Sequence, residues 1–370
     1  MDPQQIDNEQ QAIDNDNPNV AQQQEDVTTN RAAFTTRYQF AQPHLPIGTG
    51  GYGKVYRAVD TVGTINVAIK VVRTSDPYPL QSFKRELAIL RIINNAERDD
   101  RNNTVPFLNF HHNEQNPEQY LVLEKLDRTL ASEVQQISDN RRPRFTLDEI
   151  RTLGAQIANG LAFLHNLNII HADLKPRNIM FPNENSRDQL RIIDFGQSFE
   201  GGNVIDHHIQ KVEYRAMEVY LGLQQYTNAI DIWSFGCILV FMYTAKHLFR
   251  TSTDDMERSV VHQIVRTLGM PPDEMLNVRT QACYRYFKQM SNGQWKRKIG
   301  VCERIFEPRS RNIGQFLELN GQQVQSNESQ AYESFVGLIE KMIKYDVNTR
   351  INAAGIIVHH FITGQPAPQQ

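Results

Sequence analysis

Hydrophobic and polar positions follow a strand pattern in the first part of the chain and a helix pattern later. Short runs of β-branched and aromatic residues between 38 and 72, separated by glycine-containing turns, predict three strands. Residues 80–95 place apolar side chains at helical spacing and predict an amphipathic helix. Residues 120–123 predict one more strand. The first third of the chain is therefore expected to be rich in β-structure.

Helical patterns dominate the remainder of the chain. Residues 146–149, Thr-Leu-Asp-Glu, match a helix capping box, and apolar positions then recur every three or four residues as far as Leu164. Residues 231–240 are apolar on every side, which predicts a buried central helix. Further apolar helices are predicted between 335 and 361.

Length, composition and charge exclude several classes of protein. The chain has 370 residues, 40% of them hydrophobic, with a net charge of -3. This length suffices for two domains or one two-lobed domain, and the charge predicts no nucleic-acid or membrane partner. A basic patch at 296–298 is predicted to lie in a solvated loop, with a docking site as the alternative. The widely spaced Cys237, Cys283 and Cys302 indicate neither a disulfide framework nor a metal site, and Cys237 is expected to be buried.

Both ends of the chain are polar. Residues 1–33 are rich in Gln, Asn and Asp and are predicted to form a disordered tail, and residues 364–370 a flexible one. The sequence shows neither a signal-peptide pattern nor an apolar run long enough to span a membrane. We therefore expect an intracellular protein, in the cytoplasm, the nucleus or both.

A glycine-rich segment at 47–55 reads I-G-T-G-G-Y-G-K-V. The pattern G-x-G-x-x-G also occurs in nucleotide-binding oxidoreductases, where a helix follows the glycines. Here β-type residues lie on both sides and lead to V-A-I-K at 67–70, which favours a hairpin that covers phosphate groups. Lys70 would then contact the α- and β-phosphates of a nucleotide.

Two later motifs carry the candidate chemistry. They are H-A-D-L-K-P-R-N at 171–178 and I-I-D-F-G at 192–196. Phosphoryl transfer requires a carboxylate to accept the substrate's hydroxyl proton, a role for Asp173, with Lys175 near the transferred phosphate. Asn178 and Asp194 offer the hard oxygen ligands that magnesium prefers. The alternative for these residues is an ordinary polar loop between two strands.

Glu86 lies beside the apolar face of the helix predicted at 80–95. A carboxylate near a core needs a partner, so Glu86 is the candidate to form an ion pair with Lys70. Glu97 and Glu114 are poorer candidates because their surroundings are polar.

Together these residues resemble the eukaryotic protein kinases over 38–361. Within that family the chain is most similar to the dual-specificity tyrosine-regulated kinases of the CMGC group, with the homeodomain-interacting kinases next. The segments that carry this finer resemblance are H-A-D at 171–173, Y-R-A-M-E-V at 214–219, I-D-I-W-S at 230–234, L-G-M-P-P at 268–272, Y-F at 286–287 and G-Q-W at 293–295.

The resemblance implies an α+β, two-lobed protein-kinase fold with a small β-rich N-lobe at 38–122, a hinge at 123–127 and a larger, mainly helical C-lobe at 128–361. It implies ATP and Mg²⁺ as cofactors, serine or threonine of protein substrates as the acceptor, and a monomer. It also implies that Glu218 pairs with Arg350.

The resemblance further implies the nucleotide site. Leu123 would be the gatekeeper, and the backbones of Glu124 and Leu126 would bind the adenine edge. Asp231 would hydrogen-bond the catalytic-loop backbone. The implied nucleotide contacts are Ile47, Gly48, Thr49, Gly50, Gly51, Tyr52, Gly53, Lys54, Val55, Ala68, Lys70, Leu123, Glu124, Leu126 and Met180.

The activation segment departs from the family pattern. Ala172 replaces the Arg that binds a phosphorylated loop in many kinases. The family's tyrosine pair aligns with Asp206 and His208, and Val212 replaces a phosphate-binding Arg, while Arg215 remains. Both the tyrosine that is phosphorylated and an Arg that would bind its phosphate are therefore replaced. We hypothesise that the activation segment is ordered without tyrosine phosphorylation.

Two further departures concern the substrate and one turn. Arg177 stands where the family usually has Glu, and this charge reversal should weaken a preference for basic flanks and favour acidic ones. Met217 replaces the Pro of A-P-E, which removes a backbone restriction and could loosen that turn.

Three functions compete on this sequence. An active serine/threonine kinase is favoured because all five catalytic groups are present. A catalytically weak or inactive pseudokinase scaffold is the alternative, motivated by the altered activation segment and Met217. An oxidoreductase is disfavoured by the hairpin context of the glycines. The five groups are Lys70, Glu86, Asp173, Asn178 and Asp194.

Overall fold

The computed structural model describes residues 31–50, 53–73, 75, 77–96, 103–112, 118–202, 209–223, 225–251, 255–298 and 312–365. The chain divides into two compact units. The first unit combines the residues up to Phe83 with residues 107–125, and the second combines residues 84–106 with all residues from Leu126 onward. The first is built on a β-sheet and the second is mainly helical, as the predicted α+β class requires.

The first unit contains a six-stranded antiparallel sheet with the order β1-β3-β4-β6-β5, and β2 pairs with β3 at one end. Its strands are β1 Tyr38–Phe40, β2 Pro46–Gly50, β3 Gly53–Asp60, β4 Ile65–Arg73, β5 Phe107–His112 and β6 Glu118–Glu124. The prediction of three strands over 38–72 was wrong by one. The missed strand has three residues, too few for alternation to reveal, and it forms because it pairs with the end of β3.

Helix α1, Arg31–Arg37, precedes the first strand. The expected disordered tail at 1–33 needs correction at residues 31–33, and the expected start of the domain at 38 is too late, because residues 31–37 form a helix. Residues 1–30 lie outside the described residues, so their disorder stays a prediction. Phe34 is 4% exposed and its ring lies 4.8 Å from that of Tyr38, four residues later. This aromatic contact and the ion pair between Arg37 and Asp60, 2.8 Å apart, attach the helix to the sheet.

Helix α2, Pro77–Asn95, confirms the helix predicted at 80–95 and starts three residues earlier. It begins in the first unit and ends in the second. Leu87 and Leu90 are buried on its apolar face.

Two long helices organise the second unit. Helix α4, Leu147–Asn166, begins at the predicted capping box, in which Thr146 and Glu149 exchange side-chain and backbone hydrogen bonds. Every residue of helix α6, Ala229–Thr244, is buried, which confirms the central helix predicted from its uniformly apolar sequence. The helices of this unit are α3 Leu130–Ser138, α4 Leu147–Asn166, α5 Met217–Tyr220, α6 Ala229–Thr244, α7 Met256–Leu268, α8 Asp273–Leu276, α9 Gln281–Tyr286, α10 Ile313–Asn320, α11 Ser329–Met342, α12 Ala353–Ile357 and α13 His360–Thr363.

Short strands complete the second unit. Three strands form a small sheet in the order β10-β9-β7, with β7 Arg128–Thr129, β9 Ile179–Phe181 and β10 Arg191–Ile192. The two pairs are β8 Ile169–Ile170 with β11 Phe199–Glu200, and β12 Phe287–Gln289 with β13 Trp295–Arg297. The basic patch at 296–298 was expected in a loop, but Lys296 and Arg297 lie on β13. Three residues are again too few for a pattern to indicate a strand.

Two smaller predictions can also be compared with the structure. Cys237 is buried in α6, as expected, and Cys283 is buried too, whereas Cys302 lies outside the described residues. Among the helices of the described part of the chain, none has both the length and the apolar character needed to cross a membrane.

Candidate active site

The catalytic loop follows β8 and is fixed at its start by Asp231, in the first turn of α6. The Asp231 carboxylate accepts the backbone N–H of His171 at 2.8 Å and that of Ala172 at 2.9 Å. This confirms the predicted bond between Asp231 and the loop backbone. Ala172 has a φ of +60°, a left-handed conformation that most residues avoid, and the two bonds stabilise it there.

His171 connects this loop to the second motif, a role that its spacing did not reveal. Its Nδ1 accepts the backbone N–H of Asp173 at 3.3 Å, so its Nε2 carries the proton and donates to the Ile193 carbonyl at 3.0 Å. The imidazole ring also lies 5.3 Å from the Phe195 ring. These contacts position Asp194, which lies between Ile193 and Phe195 in the chain.

Asp173 lies at the centre of a small polar cluster. Lys175 Nζ donates to Asp173 Oδ2 at 2.5 Å, and Asn178 Nδ2 donates to the carbonyl and the carboxylate of Asp173 at 2.9 and 3.2 Å. Burial raises the pKa of the Asp173 carboxyl group, and the positive charge of Lys175 opposes that rise. The Asp173 carboxyl group is thus a weaker acid than usual, and it lies beside the positively charged Lys175, two residues along the chain.

Asn178 and Asp194 form a donor set that fits magnesium. The Asn178 side-chain nitrogen is occupied by Asp173, which leaves its oxygen as the atom for a cation. The charge of Asp194 contributes to the raised pKa of Asp173, so the two carboxylates interact. One amide and one carboxylate oxygen suit a hard ion that keeps several of its waters.

The first unit carries the glycine-rich hairpin. β2 and β3 pair antiparallel with Gly50 opposite Gly53, and no helix follows the glycines. This geometry excludes the dinucleotide-binding arrangement. Gly53 has a φ of +122°, and a Cβ there would lie 2.6 Å from the Val71 carbonyl oxygen, so a side chain does not fit.

The remaining predicted nucleotide contacts lie on neighbouring strands, with two outside the described residues. Lys70 is 8% exposed on β4, opposite Leu121 of β6. Gly51 and Tyr52 lie outside the described residues, so their contacts with the nucleotide stay predictions. The first unit holds Ile47, Gly48, Thr49 and Gly50 on β2, Gly53, Lys54 and Val55 on β3, Ala68 and Lys70 on β4, and Leu123 and Glu124 on β6.

Other predicted site residues belong to the second unit. Glu86 on α2 is 2% exposed, Leu126 is 5% exposed, and Met180 is half-buried on β9. Because Glu86 and Lys70 belong to different units, their ion pair remains a prediction.

The end of the activation segment is held by a network that the sequence did not indicate. The Gln210 side chain donates to the Ile230 carbonyl at 2.9 Å and to Ser234 Oγ at 2.8 Å, and it accepts the Ala216 N–H at 3.0 Å. Its backbone N–H donates to the Ala172 carbonyl at 2.9 Å. One buried amide therefore links the segment, the central helix and the catalytic loop.

Arg215 is retained from the family pattern and is engaged on three sides. It donates to the carbonyls of Ile209 and Gln210, both at 3.0 Å, and to Glu257 at 2.6 Å. Asp206 and His208 lie outside the described residues.

The turn that carries Met217 is buried, and an ion pair holds the next residue. Met217 is 0% exposed at the first position of α5, a position that Pro often occupies without being required. Next to it, the Glu218 carboxylate accepts hydrogen bonds from Arg350 at 2.6 and 3.1 Å, which confirms the predicted pair.

Comparisons with known proteins agree with this geometry. The sequence profile described as Protein kinase domain matches residues 42–362. The chain is 30% identical over 319 residues to the serine/threonine-protein kinase ppk5 of Schizosaccharomyces pombe, which covers 86% of this chain and 35% of ppk5. The chain thus spans about a third of the length of that relative. Because this profile covers most of the chain, the chain belongs to the protein kinase domain family.

Proposed function

We propose that this protein is an ATP-dependent serine/threonine kinase. The γ-phosphoryl group of ATP would pass in line to a substrate hydroxyl: the bond from phosphorus to the ADP oxygen breaks as the bond to the substrate oxygen forms. The substrate's proton goes to Asp173, and ADP leaves. The family membership and the serine/threonine kinase ppk5 support this assignment.

The observation that carries the proposal is the cluster around Asp173. Its carboxylate is buried yet hydrogen-bonded to Lys175 and Asn178, so its position is fixed before any substrate binds. The raised pKa makes it a stronger base than an ordinary aspartate, which favours uptake of the hydroxyl proton. Lys175, held 2.5 Å from this carboxylate, would stabilise charge on the transferred phosphoryl group.

The residues that would hold magnesium are Asn178 and Asp194. The ion would neutralise phosphate charge when bound. The backbone fixes Asn178, since its carbonyl accepts the Ile193 N–H at 3.0 Å. This bond joins the two metal-binding segments directly, so both ligands are oriented by the same short stretch of chain.

The glycine-rich hairpin and Lys70, both in the first unit, would bind the phosphates of ATP. Gly53 allows the hairpin backbone to approach phosphate oxygens, and Lys70 would contact the α- and β-phosphates with Glu86 as its partner. Leu123 would limit access behind the adenine, which the backbones of Glu124 and Leu126 would bind.

We also propose that the activation segment is active without phosphotyrosine. In this chain a hydrogen bond from the Gln210 backbone N–H to the Ala172 carbonyl connects the activation segment to the catalytic loop. In many kinases an Arg of the catalytic loop and a phosphate on the activation segment make this connection. Arg215 has a carboxylate partner in Glu257. Intact mass of the active recombinant protein should show no required phosphate between Gly196 and Arg215. A phosphate whose removal abolishes activity would contradict this proposal.

The finer assignment is a kinase similar to the dual-specificity tyrosine-regulated group with a preference for acidic flanks. Arg177 is exposed on the turn Pro176–Asn178, next to the catalytic residues, and would attract carboxylates near the phosphoacceptor. A peptide array tests this directly: enrichment of Asp or Glu around the acceptor is expected, and strong selection for upstream Arg would refute it.

The test of the main proposal is transfer of labelled γ-phosphate from ATP to a generic protein substrate, followed by phosphoamino-acid analysis. Phosphoserine and phosphothreonine are expected. Phosphotyrosine in addition would establish dual specificity. Nucleotide binding without any transfer would favour the alternative, a pseudokinase scaffold.

A further inference from the structure

A cationic cleft lies in the second unit, where the loop after α3 meets the end of α6. Its volume is about 570 Å³. Four of the ten residues that line it are positively charged, Arg141, Arg142, Arg144 and Lys246, and none of the ten is acidic. The whole chain is slightly acidic, so this local excess of positive charge is not a property of the general surface.

Local backbone geometry places these cations. After α3 the backbone turns at Asn140, whose φ is +57°, and the N–H groups of Arg141 and Arg142 both donate to the Gln136 carbonyl. On the other side, α6 ends at Ala245 in a left-handed conformation, and Lys246 follows directly. Two helix ends thus present their cations to one concavity.

One of the four cations is fixed and the others face solvent. Arg142 lies 3.2 Å from the buried Glu133 carboxylate and also donates to the Glu184 carbonyl. Arg144 is exposed. Arg142 therefore forms a rigid wall of the cleft, whereas Arg144 is accessible to a ligand.

Arg141 and Lys246 have weak internal partners. Arg141 lies 4.0 Å from Asp139, and the Arg141 side chain is 74% exposed. Lys246 donates to the neutral amide oxygen of Asn320 at 3.0 Å. Solvent screens an ion pair of this kind, so an incoming carboxylate loses little by competing for these cations.

The shape and chemistry of the lining favour an acidic peptide over other polyanions. A guanidinium group binds a carboxylate or phosphate through two parallel hydrogen bonds, and two exposed arginines lie three residues apart. None of the ten lining residues is aromatic, so the cleft offers no platform on which bases would stack. A concave, polar cleft also lacks the apolar face that insertion into a membrane requires.

We propose that this cleft, formed around Arg141, Arg144 and Lys246, docks an acidic segment of protein substrates. The proposal rests on the kinase activity proposed above. Helix α3 packs against the turn that carries the exposed Arg177, so the cleft and the catalytic loop belong to one unit. Both surfaces select negative charge: Arg177 acts beside the phosphoacceptor, and the cleft acts on a second segment of the same substrate.

The test compares two synthetic substrates with the same phosphoacceptor sequence. One also carries an oligo-aspartate segment on flexible linkers of graded length, because the effective concentration depends on the length that the linker must span. The full-length protein is expected to show a KM about tenfold lower for the tailed substrate. The reason is that the binding free energies of three ordinary surface ion pairs together correspond to about a tenfold gain in affinity. The kcat should be the same for both.

The decisive variant reverses the three exposed cations, Arg141→Glu, Arg144→Glu and Lys246→Glu, and leaves Arg142 in its buried pair. It should lose the KM advantage of the tailed substrate and keep full activity on the untailed one, which also shows that it is folded. The matched control reverses three exposed lysines outside the cleft and should keep the advantage. These control changes are Lys288→Glu, Lys296→Glu and Lys344→Glu.

Three results would overturn the docking proposal. They are an equal KM for both substrates, an advantage that survives in the cleft variant, and an advantage lost equally in the control variant.

A fourth contradicting result concerns the chain's own residues 1–30, which contain seven carboxylates and no Lys or Arg. If the advantage appears only after those carboxylates are changed to amides, the occupant is this segment and not a substrate.

Fluorescence anisotropy with a labelled oligo-aspartate peptide separates this proposal from the kinase proposal, because it requires no turnover. Binding that weakens in the cleft variant and with added salt supports the cleft even if no phosphoryl transfer occurs. Absence of binding alongside normal phosphorylation of the untailed substrate refutes the cleft alone.

Discussion

Replacing Asp231 by asparagine should impair both the stability and the turnover of this protein, although the change conserves shape. The Asp231 side chain is 0% exposed, and its two oxygens accept the N–H groups of His171 and Ala172 at 2.8 and 2.9 Å. His165 Nε2 lies 3.0 Å from the same carboxylate. Asparagine offers one oxygen and one NH₂ group, so one backbone N–H loses its acceptor and faces a donor.

The expected cost follows from these contacts. A hydrogen bond to a charged group contributes about 1.5–3 kcal/mol, and a buried donor without an acceptor costs about 1–3 kcal/mol. We therefore expect a loss of about 2–4 kcal/mol, a large part of the total stability of an ordinary protein domain, and a fall in Tm of about 3–6 °C for a chain of this size. Because Asp173 follows Ala172 directly, its displacement should lower kcat by about 10- to 100-fold.

The assay combines thermal unfolding with steady-state kinetics. As a positioning residue, Asp231 should affect kcat while the KM for ATP stays nearly unchanged, since the proposed phosphate and adenine contacts lie elsewhere. The matched control is Asp273→Asn, an exposed aspartate in the first turn of α8. Equal effects of the two substitutions, or an unchanged kcat in Asp231→Asn, would refute the reasoning.

Three further predictions follow from the geometry. Burial raises the pKa of Asp173 and Lys175 opposes the rise, so activity should fall as Asp173 is protonated at low pH. Lys175→Met should move this fall in the pH–rate profile to higher pH, and a shift to lower pH would contradict the prediction. Arg350→Met should cost about 3–5 kcal/mol in urea unfolding by leaving Glu218 buried without its partner, and Arg350→Met with Glu218→Met should cost less; an additive double variant would contradict the pairing. Gly53→Ala should raise the KM for ATP in initial-rate assays and also lower Tm, because a Cβ would lie 2.6 Å from the Val71 carbonyl oxygen; an unchanged KM for ATP would contradict this prediction.

Sequence patterns predicted the parts of the site that short stretches of chain determine. Asp173, Lys175 and Asn178 lie within six residues, so their spacing alone brings their side chains together. The buried helix around Asp231 was predictable because it is apolar on every side. Its bond to the catalytic loop came from the family resemblance, since nothing in the spacing of residues 60 positions apart indicates contact.

The missed features depend on contacts between distant segments or on very short elements. Gln210 is an ordinary polar residue in the sequence, and only its burial against Ile230 and Ser234 gives it a role. The first helix was missed because it follows the polar tail, and contacts with distant residues hold it: the Phe34 ring packs on Tyr120, and Arg37 pairs with Asp60. The three-residue strand Trp295–Arg297 is likewise formed by its partner strand and not by its own pattern.

The central claim is tested most directly by phosphoryl transfer from ATP to a serine/threonine substrate, measured for the wild type beside Asp173→Asn. A raised carboxyl pKa means that the folded state favours the protonated form, so ionised Asp173 destabilises the fold at neutral pH and this penalty disappears at low pH. The variant should therefore unfold at the same Tm or higher, which makes lost activity a loss of chemistry. We predict transfer by the wild type and a loss of several powers of ten in the stable variant. Equal rates for the two proteins, or no transfer by a wild type that binds nucleotide, would contradict the account.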